Sequence, residues 1–296
     1  MGPIKQYLAE EVGIDHADGL ISRREALRRL SMLGVGAVAA TTLLAACAQD
    51  GENGAIGSPA AATTTPRADS VETEAITFDG PRGELQAAWA EAANPKGGVL
   101  VIHENRGLTD HLRDVAGRFA ASGYSALALD LLSEEGGTAS LGGEAEAMAA
   151  LGAASEQEGR FVEDMKAGVD ELKRRMPDAK LAVTGFCFGG GMVWQLLDAG
   201  EPRLAAAAPF YGPIEDPDFS GSEAAVLAIY AEQDDRVNAS REAARAALED
   251  AELTHEIVTF PGVDHAFFND TGERYNAEQA TAAYDRVLAW FEEHLA

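Results

Sequence analysis

The stretch Leu181-Ala-Val-Thr-Gly-Phe-Cys-Phe-Gly-Gly-Gly191 decides the fold of this chain. Its first half is short, apolar and partly β-branched, which is typical of a central strand in a parallel sheet. Helical spacing of apolar residues resumes from Met192, after the glycines. The stretch therefore predicts a strand, a sharp turn and a helix, with Cys187 at the apex of the turn.

The pattern around Cys187 has the form of a nucleophile elbow. Gly185-x-Cys187-x-Gly189 is the motif G-x-S-x-G with sulfur in place of oxygen, and its glycines leave room for a strained turn that exposes the nucleophile. The N-terminus of the following helix favours a thiolate at this point. The alternative is a buried structural cysteine in a Gly-rich connection, and the motif alone does not decide between the two.

Apolar runs and helical stripes alternate along the rest of the chain. They predict strands at residues 99–102, 124–132, 181–186, 204–210, 225–230 and 256–260, and helices at residues 112–120, 144–176 and 277–295. This alternation indicates an α/β fold with a doubly wound, mostly parallel sheet, here a single catalytic domain over residues 75–296. Because such sheets bind ligands at the carboxyl ends of their strands, catalytic residues are expected directly after strands.

Three polar candidates follow predicted strands, namely Glu104, Asp234 and His265. Together with Cys187, Asp234 and His265 give the chain order nucleophile, acid, histidine, which is the order of the α/β-hydrolase fold. A thiolate can attack a carbonyl, an imidazole can carry the proton to the leaving group, and a carboxylate can fix the tautomer of the histidine. The order therefore predicts a Cys-His-Asp triad.

Two of these assignments have alternatives in the sequence. Asp235 stands beside Asp234, and only one of the two can face the histidine; Asp234 is favoured and Asp235 stays open. Among the six histidines, His265 occupies the loop that the fold demands, whereas His103 at a strand end also fits core packing.

Five short motifs carry a family resemblance, and they are Gly185-Phe-Cys-Phe-Gly-Gly190, His103-Glu-Asn-Arg-Gly107, Ala128-Leu-Asp-Leu131, Gln233-Asp-Asp-Arg-Val237 and Asp264-His-Ala-Phe-Phe-Asn-Asp270. With these motifs, residues 75–296 resemble the dienelactone hydrolase family of α/β-hydrolases, and in particular its secreted, twin-arginine-tagged branch. Each motif alone is weak, but their combination is specific.

The resemblance implies four catalytic side chains. In the order nucleophile, triad acid, triad histidine and additional carboxylate at the resting thiol, they are Cys187, Asp234, His265 and Glu104. It also implies an oxyanion hole formed by the backbone amides of Phe188 and Asn105. A carboxylate near the thiol can hold it protonated at rest and take its proton when substrate arrives.

Two positions depart from the founding enzyme of that family, in which arginines bind the substrate carboxylate. This chain has Glu134 and Asn269 there, and neither carries positive charge. Arg106 and Arg236 lie in strand-end loops and are tentative substrate-binding substitutes, with a surface role as the alternative. Because a carboxylate without a partner loses solvation when it enters a site, we expect neutral esters or lactones to be preferred.

Residues 1–47 have the features of an export signal with a lipobox. Ser22-Arg23-Arg24-Glu25-Ala26-Leu27-Arg28 is a twin-arginine pattern, and the charge-free run that follows it, residues 30–46, is short for a membrane span. The run ends in Leu44-Ala-Ala-Cys47, which resembles a site where Cys47 becomes a lipidated N-terminus. The alternative is an uncleaved anchor or a chance apolar run.

Composition limits the partners of the chain. Residues 48–74 are rich in small and polar residues and predict a flexible tether. The net charge of −26 lies entirely in the part from Cys47 onward, so a nucleic-acid partner is excluded and membrane contact is expected only through a lipid at Cys47. Lipidation of Cys47 would leave Cys187 without an intramolecular disulfide partner.

These features together predict an exported cell-envelope lipoprotein or extracellular protein that cleaves a small ester or lactone through a cysteinyl acyl-enzyme. No metal or organic cofactor is expected, since the chain lacks an H-E-x-x-H motif and has no G-x-G-x-x-G motif where the domain opens. Two alternatives remain: a thioesterase or other acyl hydrolase on the same fold, and a non-catalytic, substrate-binding lipoprotein.

Overall fold

An eight-stranded sheet forms the centre of the protein and positions the elbow. The structure, a computed structural model, describes residues 1–50 and 70–296, without the side chains of residues 47–50. Most of the predicted tether, residues 51–69, and the side chain of Cys47 therefore lie outside the described residues.

The strands are β1 (Glu74–Gly80), β2 (Gly83–Ala90), β3 (Gly97–Ile102), β4 (Tyr124–Asp130), β5 (Leu181–Phe186), β6 (Leu204–Phe210), β7 (Ala225–Ala231) and β8 (His255–Phe260). They lie in the order β1-β2-β4-β3-β5-β6-β7-β8. The pairs β1/β2 and β2/β4 are antiparallel, and every other pair is parallel. The elbow strand β5 is therefore central, with β3 and β6 as its neighbours.

The helices are α1 (Pro3–Ala17), α2 (Arg23–Met32), α3 (Ala37–Asp50), α4 (Asp110–Ala121), α5 (Glu144–Ala154), α6 (Arg160–Arg175), α7 (Phe188–Asp198), α8 (Asp235–Asn238), α9 (Arg241–Asp250) and α10 (Ala277–Leu295). Helices cover both faces of the sheet. A side chain at Gly97 would meet Leu295 of α10, whereas one at Gly98 would meet Leu172 of α6. Successive strand residues face opposite sides, so α6 and α10 lie on opposite faces.

The predicted α/β fold class is confirmed, and the differences lie in individual elements. The bounds of β5, β6 and α10 match the prediction, and the other predicted strands differ by one or two residues. The single helix predicted over residues 144–176 is wrong, because Gly159 has a φ of +75° and separates α5 from α6. The antiparallel β1/β2 hairpin was not predicted from the sequence, and its first strand is largely exposed.

The elbow brings three backbone segments into close contact. Cys187 has φ 57° and ψ −119°, a strained conformation for a residue with a side chain. A Cβ atom at Gly185 would lie 2.3 Å from the carbonyl oxygen of Gly189, and one at Gly189 would lie 2.4 Å from that of Ile102. Glycine at both positions is therefore a packing requirement, and it lets α7 begin directly above the ends of β3 and β5.

The three N-terminal helices pack against the catalytic domain. Leu8, Val12 and Leu30 are fully buried and belong to the same apolar core as the central strands. A side chain at Gly152 of α5 would meet Leu33, which shows how closely this segment approaches the domain. No helix within residues 1–50 and 70–296 is long and apolar enough to cross a membrane. Export and processing of residues 1–47 stay predictions.

The elbow contacts generate a test of stability. Gly189→Ala should lower the free energy of unfolding by about 1–3 kcal/mol, because the new methyl group meets backbone atoms that cannot turn away. Urea denaturation followed by circular dichroism measures the change. Gly191→Ala in the same helix is the matched control: its Cβ would lie no closer than 3.3 Å to its neighbours, so we expect no comparable loss. Equal stability of the two variants would contradict this account.

Candidate active site

Cys187 lies at the carboxyl end of β5 and caps the N-terminus of α7. Its backbone N–H donates to the carbonyl oxygen of Phe210 on β6 at 3.1 Å, which ties the turn to the neighbouring strand. The residue is 3% exposed. The thiol is therefore held by the sheet, where the sequence pattern placed it, but the side chain is covered.

Asp234 and His265 form a buried hydrogen-bonded pair. Nδ1 of His265 donates to Oδ2 of Asp234 at 2.5 Å, while Oδ1 of Asp234 accepts from the backbone N–H of Val237 at 3.1 Å. Asp235 is exposed in the first turn of α8, so the structure turns Asp234 and not Asp235 toward the histidine. The other ring nitrogen, Nε2, makes no hydrogen bond within the described residues.

Electrostatics keeps this pair ionised. Burial disfavours a charged imidazole, but the carboxylates of Glu11 and Asp234 and the nearby Cys187 outweigh it and raise the pKa of His265 well above its usual value. Burial likewise favours a neutral Asp234, but His265 and Arg236 outweigh it and lower the pKa of that carboxyl. Asp234 therefore orients the histidine, and Glu11 and Asp234 favour its protonated form while α1 covers the site.

Glu104 follows β3 and points into the same small cavity as Cys187. Its Oε2 accepts from Nδ2 of Asn269 at 2.5 Å, and its Oε1 has no hydrogen-bond partner among the described residues. Burial raises the pKa of Glu104. The resemblance gave Glu104 the contact with the resting thiol, but in the structure Sγ of Cys187 shares a hydrogen bond with the hydroxyl of Tyr7, at 3.1 Å.

His103 is a buried core residue that fixes the loop carrying Glu104. Its Nδ1 donates to the carbonyl oxygen of Glu104 at 2.6 Å, and its Nε2 accepts from the backbone N–H of Leu131 at 3.1 Å. This pairing needs the neutral ring, and burial lowers the pKa of His103 accordingly. The core-packing alternative for His103 therefore describes the structure.

Phe188 and Asn105, the predicted oxyanion-hole residues, lie near Cys187. Phe188 is the first residue of α7, and the first amides of a helix have no intrahelical acceptor. Asn105 lies directly after Glu104, is 7% exposed and lines the cavity that also contains Cys187. The oxyanion hole formed by these two amides stays a prediction.

Helix α1 covers the site. Tyr7 of this helix shares a hydrogen bond with the thiol, and Oε1 of Glu11 lies 3.7 Å from Nε2 of His265. Glu11 is 5% exposed, and the cavity that Cys187 and His265 line has a volume of about 50 Å³. That space holds one or two water molecules and no ester.

The arginines near the site are all paired with acids. Arg236 pairs with Glu11 and lies 4.3 Å over the ring of Tyr7, whereas Arg106 pairs with Glu144 at 2.8 Å. Both tentative substrate-binding arginines are thus paired within the protein. Of these two, Arg106 lines the cavity at Cys187 and Arg236 does not.

Glu134 does not contribute to the site, which corrects one premise of the expected preference for neutral substrates. Its carboxylate pairs with Arg82 at 2.5 Å and with Arg160 at 3.4 Å, and the residue does not line the cavity at Cys187. Its charge is neutralised on another face of the loop after β4. The side chain of Asn269, the second departure, is used to bind Glu104.

One group of side chains in the described residues could hold a metal ion. The ligand atoms of Glu11, Cys187 and His265 lie within 4.8 Å of one another. Carboxylate, thiolate and imidazole are donors that zinc accepts. Arg236 already pairs with Glu11, however, so the carboxylate of this group is engaged within the protein.

Several residues of the site were missed from the sequence. Tyr7 and Glu11 lie in the segment interpreted as an export signal, and Arg274 follows the histidine loop and pairs with Asp15 and Asp18 of the N-terminal segment. The spacing of residues 7, 11, 15 and 18 was an available signal, because it places polar side chains on one helix face. The ring of Tyr211, 5.0 Å from that of His265, gave no such signal.

Comparison with known proteins finds similar sequences and a similar structure. The Dienelactone hydrolase family model matches residues 85–295. Proteins named "Putative carboxymethylenebutenolidase" from Escherichia coli K12 and Salmonella typhi are 29% and 30% identical over 254 residues, which cover 80% of this chain and 93% of each relative. A crystal structure from Klebsiella pneumoniae, described as a "Putative Dienelactone Hydrolase", superposes with a TM-score of 0.64 at 26% identity and covers 75% of this chain and 98% of its own.

The buried pair predicts a titration difference between two neighbouring acids. Asp234→Asn should lower the pKa of His265, because it removes a carboxylate that stabilises the imidazolium. Asp235→Asn is the matched control and should leave that pKa unchanged, since Asp235 is exposed. Proton NMR of the imidazole as a function of pH measures both. A larger shift in the Asp235 variant would show that the histidine faces the other acid.

Proposed function

We propose that this protein cleaves an ester or lactone through a thioester on Cys187. The chain belongs to the dienelactone hydrolase family and is a hydrolase of that type. The observation that carries the proposal is the orientation of His265. Its Nδ1 is held by Asp234, which leaves Nε2 on the side of the thiol, with ligand atoms of the two residues within 4.8 Å. This separation is compatible with activation of the thiol by the histidine, which requires the two to come into hydrogen-bond contact when substrate binds.

The first half of the reaction forms the acyl-enzyme. Sγ of Cys187 attacks the carbonyl carbon of the substrate as a thiolate, its proton having passed to Nε2 of His265. The tetrahedral intermediate carries its negative charge on the former carbonyl oxygen. It collapses by breaking the bond to the alcohol oxygen, which takes the proton from Nε2, and a thioester remains on Cys187.

Hydrolysis of the thioester completes the cycle. Nε2 of His265 removes a proton from water while the water oxygen attacks the thioester carbon. The second tetrahedral intermediate expels Sγ, which regains the proton, and the carboxylic acid product leaves. Asp234 keeps the histidine in the same tautomer through both halves.

Three further groups support the reaction. The amides of Phe188 and Asn105 donate to the oxyanion, and such preorganised donors act strongly in a site from which water is excluded. Glu104 has a pKa raised by burial and a free Oε1, so it can exchange a proton with a group in the cavity when substrate displaces the present contacts. The preference for neutral substrates stays a prediction, without the repulsion that Glu134 was expected to add.

Cys187→Ala should reduce turnover of a short p-nitrophenyl ester by several orders of magnitude, as removal of a triad nucleophile does in other hydrolases. Absorbance of released p-nitrophenol measures the rate, and mass spectrometry of the quenched reaction should find the acyl group on the peptide containing Cys187. Asp235→Asn changes an exposed residue beside the triad acid and is the control, with turnover retained. Near-normal turnover in the Cys187 variant would reject the proposed nucleophile.

We propose also that the chain is exported by the twin-arginine route and anchored through a lipid on Cys47. Support comes from the order of three features in residues 22–47, namely paired arginines, a charge-free run and a cysteine after small residues. Arg23 and Arg24 are exposed on α2 and are accessible to a receptor in the folded protein.

Lipidation gives a test that does not depend on activity. The mature protein should begin at Cys47 and partition with membranes through several acyl chains, since a single chain binds only marginally. Cys47→Ser should leave an unprocessed precursor of greater mass. Mass spectrometry of the N-terminal peptide decides the matter, and an unmodified N-terminus beyond residue 47 would reject the anchor.

A further inference from the structure

The N-terminal segment, residues 3–46, binds the catalytic face as a ligand would. The hydroxyl of Tyr7 contacts the thiol of Cys187 at 3.1 Å, and Glu11 lies 3.7 Å from the nitrogen of His265 that the reaction uses. Both side chains come from α1, and both are buried. The space that an acyl group needs beside the thiol is therefore filled by the chain itself.

Charge complementarity holds α1 in this position. The acids of the segment, Glu11, Asp15 and Asp18, face two arginines of the catalytic loops. Arg236 lies in α8, two residues after the triad acid, and Arg274 follows the loop of the triad histidine. One arginine near each of the triad acid and the triad histidine is thus paired with the segment.

Apolar packing adds to these ion pairs. Leu8, Val12 and Leu30 have no exposed surface and join the apolar core. A Cβ atom at Gly152 of α5 would lie 2.7 Å from Leu33 and 3.8 Å from Leu8, so the segment seats closely on α5. The burial and the ion pairs together show a docked element and not a peptide that lies loosely on the surface.

The segment can nevertheless leave without unfolding the sheet. Within the described residues, no backbone hydrogen bond joins residues 1–50 to residues 70–296. The contacts across the interface are side-chain contacts, and the eight strands pair only with one another. Departure of α1 to α3 therefore breaks no ladder bond and leaves the elbow intact.

The segment also forms part of the wall of an apolar cavity. This cavity of about 230 Å³ lies beside the site, with Met192, Trp194 and Ile214 among its lining residues. Tyr7 lines this cavity and also contacts the thiol, and Phe188, the neighbour of Cys187 in the chain, lines the cavity as well. Because Pro3, Ile4 and Tyr7 form part of its wall, departure of the segment would expose this apolar surface next to the elbow.

We infer that residues 3–46 are an intramolecular inhibitor, and that Cys187 becomes accessible to substrate only when this segment leaves the catalytic face. The inference rests on the proposed function in taking Cys187 as the nucleophile. Cleavage before Cys47 would remove α1, α2 and most of α3, so processing of the exported chain would also activate it.

The test measures the accessibility of the thiol in the full chain. Leu8→Ala combined with Val12→Ala weakens the docking of α1 without changing any charge near Cys187. Iodoacetamide should alkylate Cys187 about tenfold faster or more in this variant than in the wild type, because lost packing raises the population of the open state. The rate is followed by mass spectrometry of the peptide containing Cys187, which separates it from Cys47.

Val38→Ala is the matched control, since Val38 lies on α3 of the same segment but is 82% exposed. It should alkylate at the wild-type rate. Circular dichroism reports whether the double variant is folded. If it is not, Asp18→Asn replaces it, because that substitution removes an ion pair to Arg274 and leaves the contacts at Cys187 in place. Equal rates in the wild type and a folded docking variant would overturn the inference.

Ester turnover, measured on the same samples, separates this inference from the proposed function. Faster alkylation with no ester hydrolysis in any sample would uphold the inhibitor and reject the hydrolytic role of Cys187. Rapid hydrolysis by a wild type whose thiol alkylates as fast as in the docking variant would uphold the role of Cys187 and reject the inhibitor.

Discussion

The strained backbone of Cys187 is the constraint on which the rest of the structure depends. A residue with φ 57° and ψ −119° persists only where its surroundings hold it, and here a strand, a helix and a neighbouring strand do so. Gly185 and Gly189 let these segments approach, and the bond from Cys187 to Phe210 ties the turn to β6. The central position of β5 then follows, because only a central strand has neighbours on both sides to fix the turn.

The loops around the elbow are fixed by polar groups that do no chemistry themselves. His103 uses both ring nitrogens on backbone atoms and so sets the path of the loop that presents Glu104 and Asn105. Asp130 accepts from the backbone N–H groups of Leu132 and Thr138 and orders the loop after β4. Burial makes these bonds strong and their loss costly, so the site has little freedom apart from the N-terminal segment.

Although the composition is strongly acidic, acids at the catalytic face are paired with arginines. The chain has a net charge of −26, yet arginines and acids alternate around the site, with Arg236 and Arg274 facing the acids of residues 11–18. Forming such a pair removes two charged groups from water, and their mutual attraction offsets this loss of hydration only while both partners are present. A site covered in this way changes its charge when the cover leaves, since two buried arginines then face solvent or substrate.

The sequence by itself determined the parts whose signals are local. The bounds of β5, β6 and α10, the place of Cys187 between strand and helix, and the strand-end positions of Asp234 and His265 all follow from periodicity and glycine spacing. Tertiary structure decided which acid faces the histidine, that Asn269 binds Glu104, and that Tyr7 covers a thiol 180 residues away. Periodicity acts over a few residues, whereas these contacts depend on how distant elements pack, and no pattern within either segment records the other.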